Sequence, residues 1–306
     1  MPLKPAVPLP RRLFMKIAFI GLGVMGKYMA LNMIKSGDLS VVIDVADKAF
    51  PEFTEKGIHA TTSAAEAGEA DVIFLSLPNT AVVQSVVGNL IPHMHPGQTI
   101  VDLSTIKYNA TLELRRTLDA AGIEFLDAPV SGMESRAKDG TLTVMCGGKK
   151  EVFDRVSPYF SYIGTKVLYM GDSGAGQLTK LINQLLFDIN AAALAEILPM
   201  SVKMGLDCEK VGQVVNSGTG RSYASEFFIP NVLKDSFHNG YSMRNAYKDL
   251  VSAAEMGADL GIPMPVLAAA TSTYQMALLK GLGDHDKGGM IKVFEELLGV
   301  RFRSEA

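Results

Sequence analysis

Between positions 16 and 44, apolar and polar residues follow a fixed order: a short apolar run, a glycine turn, an amphipathic stretch and a second apolar run that stops on a carboxylate (KIAFIGLGVMGKYMALNMIKSGDLSVVID). This pattern predicts strand, turn, helix and strand in succession, a βαβ unit. The alternation continues downstream. Ser63-Ala-Ala-Glu66 predicts a short helix opened by a capping box. The β-rich run at 71–77 (DVIFLSL), bounded by Pro78, and the run at 98–103 (QTIVDL) predict strands, and a helical segment follows at 109–121. Further strands are expected at 124–126, 141–146 and 167–170, with a helix from Glu151. Many of these runs are apolar throughout, which predicts a mostly parallel sheet buried on both faces.

From Ser173 the strand signals stop. Leu178, Leu181, Ile182, Leu185, Leu186 and Ile189 recur at spacings of three and four, which predicts one long helix running past Pro199, a candidate kink, to Met204. Further helical patterns lie at 208–216, 244–260, 263–279 and 290–298, separated by glycine-bearing loops. The expected fold class is therefore α/β: a Rossmann-type dinucleotide-binding domain at 15–172, followed by an all-helical domain at 173–306 for substrate and dimerisation. Residues 1–14, with four prolines and two arginines ahead of Met15, read as a disordered leader or a misplaced start.

Composition narrows the class without choosing the reaction. The 306 residues suffice for two domains, and a formal charge of −3 supplies no basic stripe for nucleic acid. Two cysteines, Cys146 and Cys208, form neither a disulfide framework nor a zinc spacing, so a reducing, cytoplasmic setting is expected. No apolar run of membrane-spanning length stands out, and no membrane partner is expected. His93 and His95 have no third ligand nearby in sequence, and no metal is expected.

Within the first unit the turn Gly21, Leu22, Gly23, Val24, Met25 and Gly26 has the spacing that lets backbone approach a pyrophosphate at a helix N-terminus. Asp44, eighteen positions after Gly26, is placed to accept hydrogen bonds from the adenosine ribose and to repel a 2′-phosphate. NAD is the expected cofactor. NADP stays open through Lys48. Further on, GAGQLTKLINQ puts Gln177, Lys180, Asn183 and Gln184 on one helical face, where a partly desolvated lysine at the join of two domains suits proton transfer. The segment DAPVSGMESRAKDGTLTVMCGG exposes Ser131 and Gly132 in a turn able to bind a carboxylate.

These segments together resemble the β-hydroxyacid dehydrogenase family, with its 3-hydroxyisobutyrate, tartronate semialdehyde (2-hydroxy-3-oxopropionate) and 6-phosphogluconate branches. Four ordered motifs carry the resemblance: GLGVMGKYMALNMIKSG, DAPVSG with GTLTVMCGG, GAGQLTKLINQ, and KDL at Lys248. The resemblance implies an oxidoreductase that moves a hydride between NAD(P) and a small 3-hydroxy acid or its semialdehyde. It implies Lys180 as general acid/base, Asn183 orienting the substrate, and Ser131 and Gly132 holding its carboxylate. It also implies Leu77, Pro78 and Thr105 along the cofactor, Thr105 beside the nicotinamide, and Lys248 reaching it from the helical domain. The long apolar helix, with no strand layer to cover it, is expected to complete its core against a second subunit in a homodimer or homotetramer. The chain departs from the family where Met133 and Arg136 replace glycines. Arg136 either meets a second anionic end of a longer sugar acid or points to solvent. Gln184 stands where phosphogluconate enzymes carry an asparagine. An imine reductase and a catalytically silent binding module are the rival readings, against which Lys180, Asp44 and the anion loop speak.

Overall fold

The computed structural model describes residues 15–304, so the expected leader at 1–14 lies outside the described residues. Two compact units divide between Lys180 and Leu181. In the first, strands β1 (Ile17–Ile20), β2 (Leu39–Ile43), β3 (His59–Thr61), β4 (Val72–Leu75), β5 (Thr99–Asp102) and β6 (Glu124–Asp127) pair in parallel in the order β3-β2-β1-β4-β5-β6. Then the sheet reverses. Strand β7 (Val130–Ser131) and β6 both run antiparallel to β8 (Leu142–Gly148), and β9 (Gly164–Gly171) pairs in parallel with β8.

Every residue of β1, β4 and β5 is buried, which explains why β1 and β4 are apolar throughout rather than alternating, while β5 is apolar between Thr99 and Asp102. Successive side chains still go to opposite faces: Ile17 and Phe19 join one core, Ala18 and Ile20 the other. Helices α1 (Gly26–Met33), α2 (Pro51–Thr54), α3 (Thr80–Leu90), α4 (Tyr108–Ala120), α5 (Met133–Asp139) and α6 (Lys150–Phe160) connect the strands. Phe74 stacks on Phe19 at 6.2 Å and meets Phe160 of α6 edge-on at 6.1 Å. Each such buried phenylalanine contributes roughly 1.5–3 kcal/mol.

The expected capping box at Ser63 does not form. Residues Ala64–Glu69 make a 3₁₀ turn, and the Ser63 side chain caps nothing. Glu66 instead accepts the Thr61 hydroxyl at 2.6 Å and pairs with His59 at 2.7 Å, so two partners on β3 outcompete the backbone. A capping box does occur where the pattern predicts no helix, at Ser222 and Ser225, opening the helix Tyr223–Leu233.

The second unit is helical: most of α7 (Ala175–Lys203), then α8 (Cys208–Ser217), α9 (Tyr223–Leu233), α10 (Met243–Asp259), α11 (Pro265–Leu279) and α12 (Ile291–Leu298). Its core gathers Ala191, Ala195, Leu198, Phe228, Met243, Leu250 and Tyr274. Lys287, 1% exposed, pairs with the buried Asp188 of α7 and lies 4.3 Å from the Phe187 ring centroid. By length and composition α7 is long and apolar enough to cross a membrane, which corrects the expectation that no run reaches that length. Its paired Asp188 and buried alanines fit a core helix of a folded unit.

Candidate active site

The expected cofactor residues fall at the C-terminal ends of neighbouring parallel strands. Gly21 follows β1, Asp44 follows β2, Leu77 and Pro78 follow β4, and Thr105 follows β5. Chain direction along the sheet switches between β1 and β4, the crevice where open α/β sheets bind nucleotides. At Gly21, with φ +98°, a Cβ would sit 2.2 Å from the Ser76 carbonyl oxygen. At Gly26 a Cβ would sit 2.0 Å from the Gly21 carbonyl oxygen. Gly23 is the opposite case: it is exposed, with nothing within 4 Å of that position. Helix α1 starts just beyond, with no side-chain cap and no acid in its first turn, so its positive end is not neutralised locally. Open glycine surface over an uncapped helix N-terminus fits a pyrophosphate.

Asp44 is half-buried and tied to this turn. Its Oδ2 accepts the Leu22 N–H at 2.6 Å, and its Oδ1 accepts the Ala46 N–H at 2.9 Å. Leu22 is buried, Met25 half-buried, and Val24 exposed. Lys48 is exposed in the turn after β2. Leu77 donates its N–H to Ser104 Oγ at 2.9 Å, while Pro78 and Thr105 are exposed.

The start of α7 is anchored by a residue whose chemical role the sequence pattern missed. Asp127, fully buried at the end of β6, accepts the Gly174 N–H at 2.7 Å and the Gln177 N–H at 2.9 Å. It caps α7 from another element. The Gln177 side chain then reaches the loop after β5: Oε1 accepts the Ile106 N–H at 3.2 Å and Nε2 donates to the Ser104 carbonyl at 2.7 Å. Gln177 is thus buried and engaged with backbone, unlike the exposed Asn183 and half-buried Gln184 of the same stripe. Lys180 is buried one turn beyond it, 9% exposed.

Asp102 lies opposite Asp127 in the β5–β6 register. Its Oδ1 accepts the Ser104 N–H at 2.9 Å, and its buried Oδ2 has no hydrogen-bond partner. Burial pushes Asp102 up to about 7, against hydrogen bonds from Ser104 and with help from the Asp127 charge. Burial also raises Asp127 to about 6, opposed by the helix N–H groups. The Cys146 thiol on β8, desolvated and facing Asp127, is raised as well.

The anion loop is more structured than expected. Ser131 ends β7, Gly132 stands at φ +144°, and a helical stretch, α5, intervenes before the strand that was expected to follow directly. Met133 takes φ +61°, the left-handed region in a residue other than glycine. Arg136 is half-buried and its guanidinium donates to the Thr141 carbonyl, folding back onto the loop's own backbone. A Cβ on Gly132 would lie 2.9 Å from the Arg136 side chain. In the helical unit Lys248 is exposed on α10.

Glycine turn, carboxylate and buried lysine define a nicotinamide-dinucleotide oxidoreductase as the class. A family model described as the NAD binding domain of 6-phosphogluconate dehydrogenase matches residues 16–171. One described as NAD-binding of NADP-dependent 3-hydroxyisobutyrate dehydrogenase matches 174–294. The 2-(hydroxymethyl)glutarate dehydrogenase of Eubacterium barkeri is 37% identical over 290 residues, covering 93% of this chain and 96% of that protein. The 2-hydroxy-3-oxopropionate reductase of Escherichia coli is 32% identical over 285 residues, covering 92% and 97%. The solved structure of Mycobacterium tuberculosis 3-hydroxyisobutyrate dehydrogenase with L-serine is similar with a TM-score of 0.81 at 29% identity, covering 92% of this chain and 99% of that one. The chain belongs to the β-hydroxyacid dehydrogenase family, and it is an NAD(P)-dependent oxidoreductase acting on the CH–OH group of a small hydroxy acid.

Proposed function

We propose that this enzyme interconverts a 3-hydroxy acid and its semialdehyde, with Lys180 as the general acid/base. The observation that carries the reading is Lys180, buried one helical turn beyond a glutamine clamped to the loop that bears Thr105. In oxidation Lys180 Nζ takes the substrate hydroxyl proton; in reduction it returns it. The nicotinamide, when bound, accepts or supplies the hydride. Asn183, one turn further along α7, orients the reacting oxygen, and Ser131 and Gly132 hold the carboxylate. Substrates named in the similar proteins share a hydroxyl or carbonyl on the carbon β to a carboxylate, and one, 2-(hydroxymethyl)glutarate, carries a second carboxylate. The Arg136 donors not used on Thr141 are suited to such a second anion.

Asp44 favours NAD over NADP, because it offers acceptors to ribose hydroxyls and repels a 2′-phosphate. Leu77, Pro78, Thr105 and Lys248 are its further cofactor contacts. The cofactor domain comprises 15–172, and 173–306 serves substrate and self-association. Ile182, Leu186, Ile197 and Met200 of α7 are each about half exposed, at 54%, 59%, 52% and 47%, and their spacing makes one apolar stripe suited to a second copy. Two free cysteines, Cys146 buried, fit a reducing cytoplasm.

The test is NADH oxidation with a panel of short semialdehydes and imines, in wild type and Lys180→Ala. Lys180→Ala is expected to lose roughly 10²- to 10⁴-fold in kcat while NADH fluorescence titration stays unchanged. A near-normal rate in that variant removes Lys180 from the chemistry. Turnover of imines alone moves the enzyme to the other reaction class.

A further inference from the structure

The structure assigns Gln177 as the positioning residue that sets the spacing between the nicotinamide-facing loop and the proton-transferring lysine; this rests on the role proposed for Lys180. Hydride and proton transfer act on one carbon–oxygen bond, so the two partners must be registered against each other to within a fraction of an ångström. In the proposed site the hydride partner rests against the loop after β5, which presents Thr105. The proton partner is fixed by α7. Within the first unit Gln177 joins these two segments directly.

Three observations point the same way. Gln177 grips backbone on both sides of Thr105, the Ser104 carbonyl and the Ile106 N–H, so it restrains that residue whatever its side chain does. The orientation of its amide is unambiguous, since a flipped amide would set donor against donor and acceptor against acceptor. Its own N–H is held by Asp127, and Lys180 follows by three residues on the same helical face. The restraint extends one step further, because Ser104 Oγ accepts the Leu77 N–H and the Ser104 N–H donates to Asp102. Leu77 backbone, Thr105 backbone and the first turn of α7 are thereby members of one hydrogen-bonded unit. Asp127 and Ser104 support the clamp, and Gln177 closes it.

A residue that only holds the fold together would, when removed, lower rate and cofactor affinity in step with stability. A spacing residue is separable from stability. Gln177→Leu keeps the volume and loses both side-chain hydrogen bonds. Gln177→Glu keeps the acceptor for Ile106 and regains a donor to the Ser104 carbonyl only when its carboxyl is protonated. The titratable groups on the neighbouring elements are Asp127 on β6, which holds the Gln177 N–H, Asp102 on β5, the Cys146 thiol on β8 and Lys180 one turn along α7.

The experiment uses the full-length protein with NADH and the best semialdehyde of the panel. Gln177→Leu is expected to lower kcat by roughly 10- to 100-fold with NADH affinity unchanged, and to raise the primary deuterium isotope effect from 4-deuterated NADH. Gln177→Glu, as a ratio to wild type at each pH, should recover toward acid pH, while the Gln177→Leu ratio stays flat. Hydrogen exchange supplies a readout independent of turnover: the Ile106 amide should exchange faster in Gln177→Leu while amides of β1 and β4 keep their protection. An unchanged kcat and isotope effect, a rate lost only in proportion to NADH binding, a pH-flat Gln177→Glu ratio or an Ile106 amide that stays protected would each overturn the assignment. Failure of the Lys180 role itself shows separately, as a Lys180→Ala enzyme that turns over normally.

Discussion

Two loops of the first unit, each proposed to hold an anion, are built to different standards. The dinucleotide turn places glycine at each demanding point: Gly21 and Gly26 where a Cβ would come within 2.2 Å and 2.0 Å of a carbonyl oxygen, and Gly23 where the surface is open. The anion loop has Gly132 at φ +144° and then Met133 at φ +61°, a conformation that costs about 1–2 kcal/mol in any residue with a Cβ. A pyrophosphate is the same in every nicotinamide dinucleotide, so the first loop has one shape to satisfy. The second, in the proposed role of holding the substrate carboxylate, has one acid among many to suit, and a side chain held in strained backbone is a way to shape a pocket that glycine would leave wide. Departures from glycine economy therefore point to where specificity is set.

The comparison breaks first, and with the largest effect, at the glycines of the dinucleotide turn. Gly26→Ala drives a Cβ onto the Gly21 carbonyl, so α1 must move off β1, and a loss of more than about 3 kcal/mol is expected. Gly23→Ala meets nothing within 4 Å and should leave the melting temperature unchanged while weakening NADH binding. Thermal unfolding followed by NADH fluorescence separates the two. Equal stability losses in both variants would mean that the turn is a packing element throughout, with no part reserved for the cofactor.

The difference between the loops is also the difference in what the sequence makes legible. Spacing rules of a βαβ unit are local, so residues 16–44 reveal strand, turn, helix and acid together, and the buried runs at β4 and β5 are as plain. The long helix is legible too, through its spacing of three and four. What escapes are features that depend on partners distant in sequence. Gln177 looks like one of four polar residues on a stripe, and only the loop after β5, some seventy positions away, shows that it is a clamp. Helix α5 is hidden because Ser131-Gly132 reads as a turn and the helix that follows has only seven residues, of which Ala137 alone is buried. The Ser63 motif fails for the complementary reason: the capping pattern is local, while Thr61 and His59 claim its glutamate.

The carboxylates of the first unit give the next test. Asp44 sits half-buried under the first loop, bonded by two N–H groups. Asp127 and its register partner Asp102 are instead fully buried at the ends of β6 and β5, where they hold the start of α7 and the loop after β5. Burial raises Asp102 from 3.8 to about 7 and Asp127 to about 6, so the folded chain retains protons that the unfolded chain has released. The stability this represents is complete below about pH 4 and is lost as pH rises through 6 to 7. The unfolding free energy read from denaturant melts should therefore fall between pH 5 and pH 8 by roughly 2–4 kcal/mol for the pair. Asp102→Asn removes the larger of the two shifts and leaves the burial of Asp127 in place, so its curve should be flatter but not flat. Parallel curves for wild type and variant would show that the dependence arises elsewhere.

The smallest effect sharpens the comparison most. Met133→Gly would give the anion loop the glycine that its backbone conformation favours. Relief of left-handed strain is worth about 1–2 kcal/mol, and the greater freedom of glycine in the unfolded chain takes back about 0.5–1. A net gain of roughly 0.5–1 kcal/mol is expected, read as a higher denaturant midpoint. The same substitution removes a half-buried side chain from the loop expected to hold the substrate carboxylate. Selectivity between three-carbon acids and longer ones should then fall, with kcat/KM for the preferred acid dropping roughly threefold to tenfold, the worth of a small apolar contact. Arg136→Gly, paired with it, distinguishes shape from charge. If Arg136 meets a second carboxylate, its loss penalises only diacids, whereas Met133→Gly changes discrimination by size. A variant that is both less stable and equally selective would mean that Met133 is held by packing inside the loop, and that the positive φ reflects the fold's needs and not the substrate's.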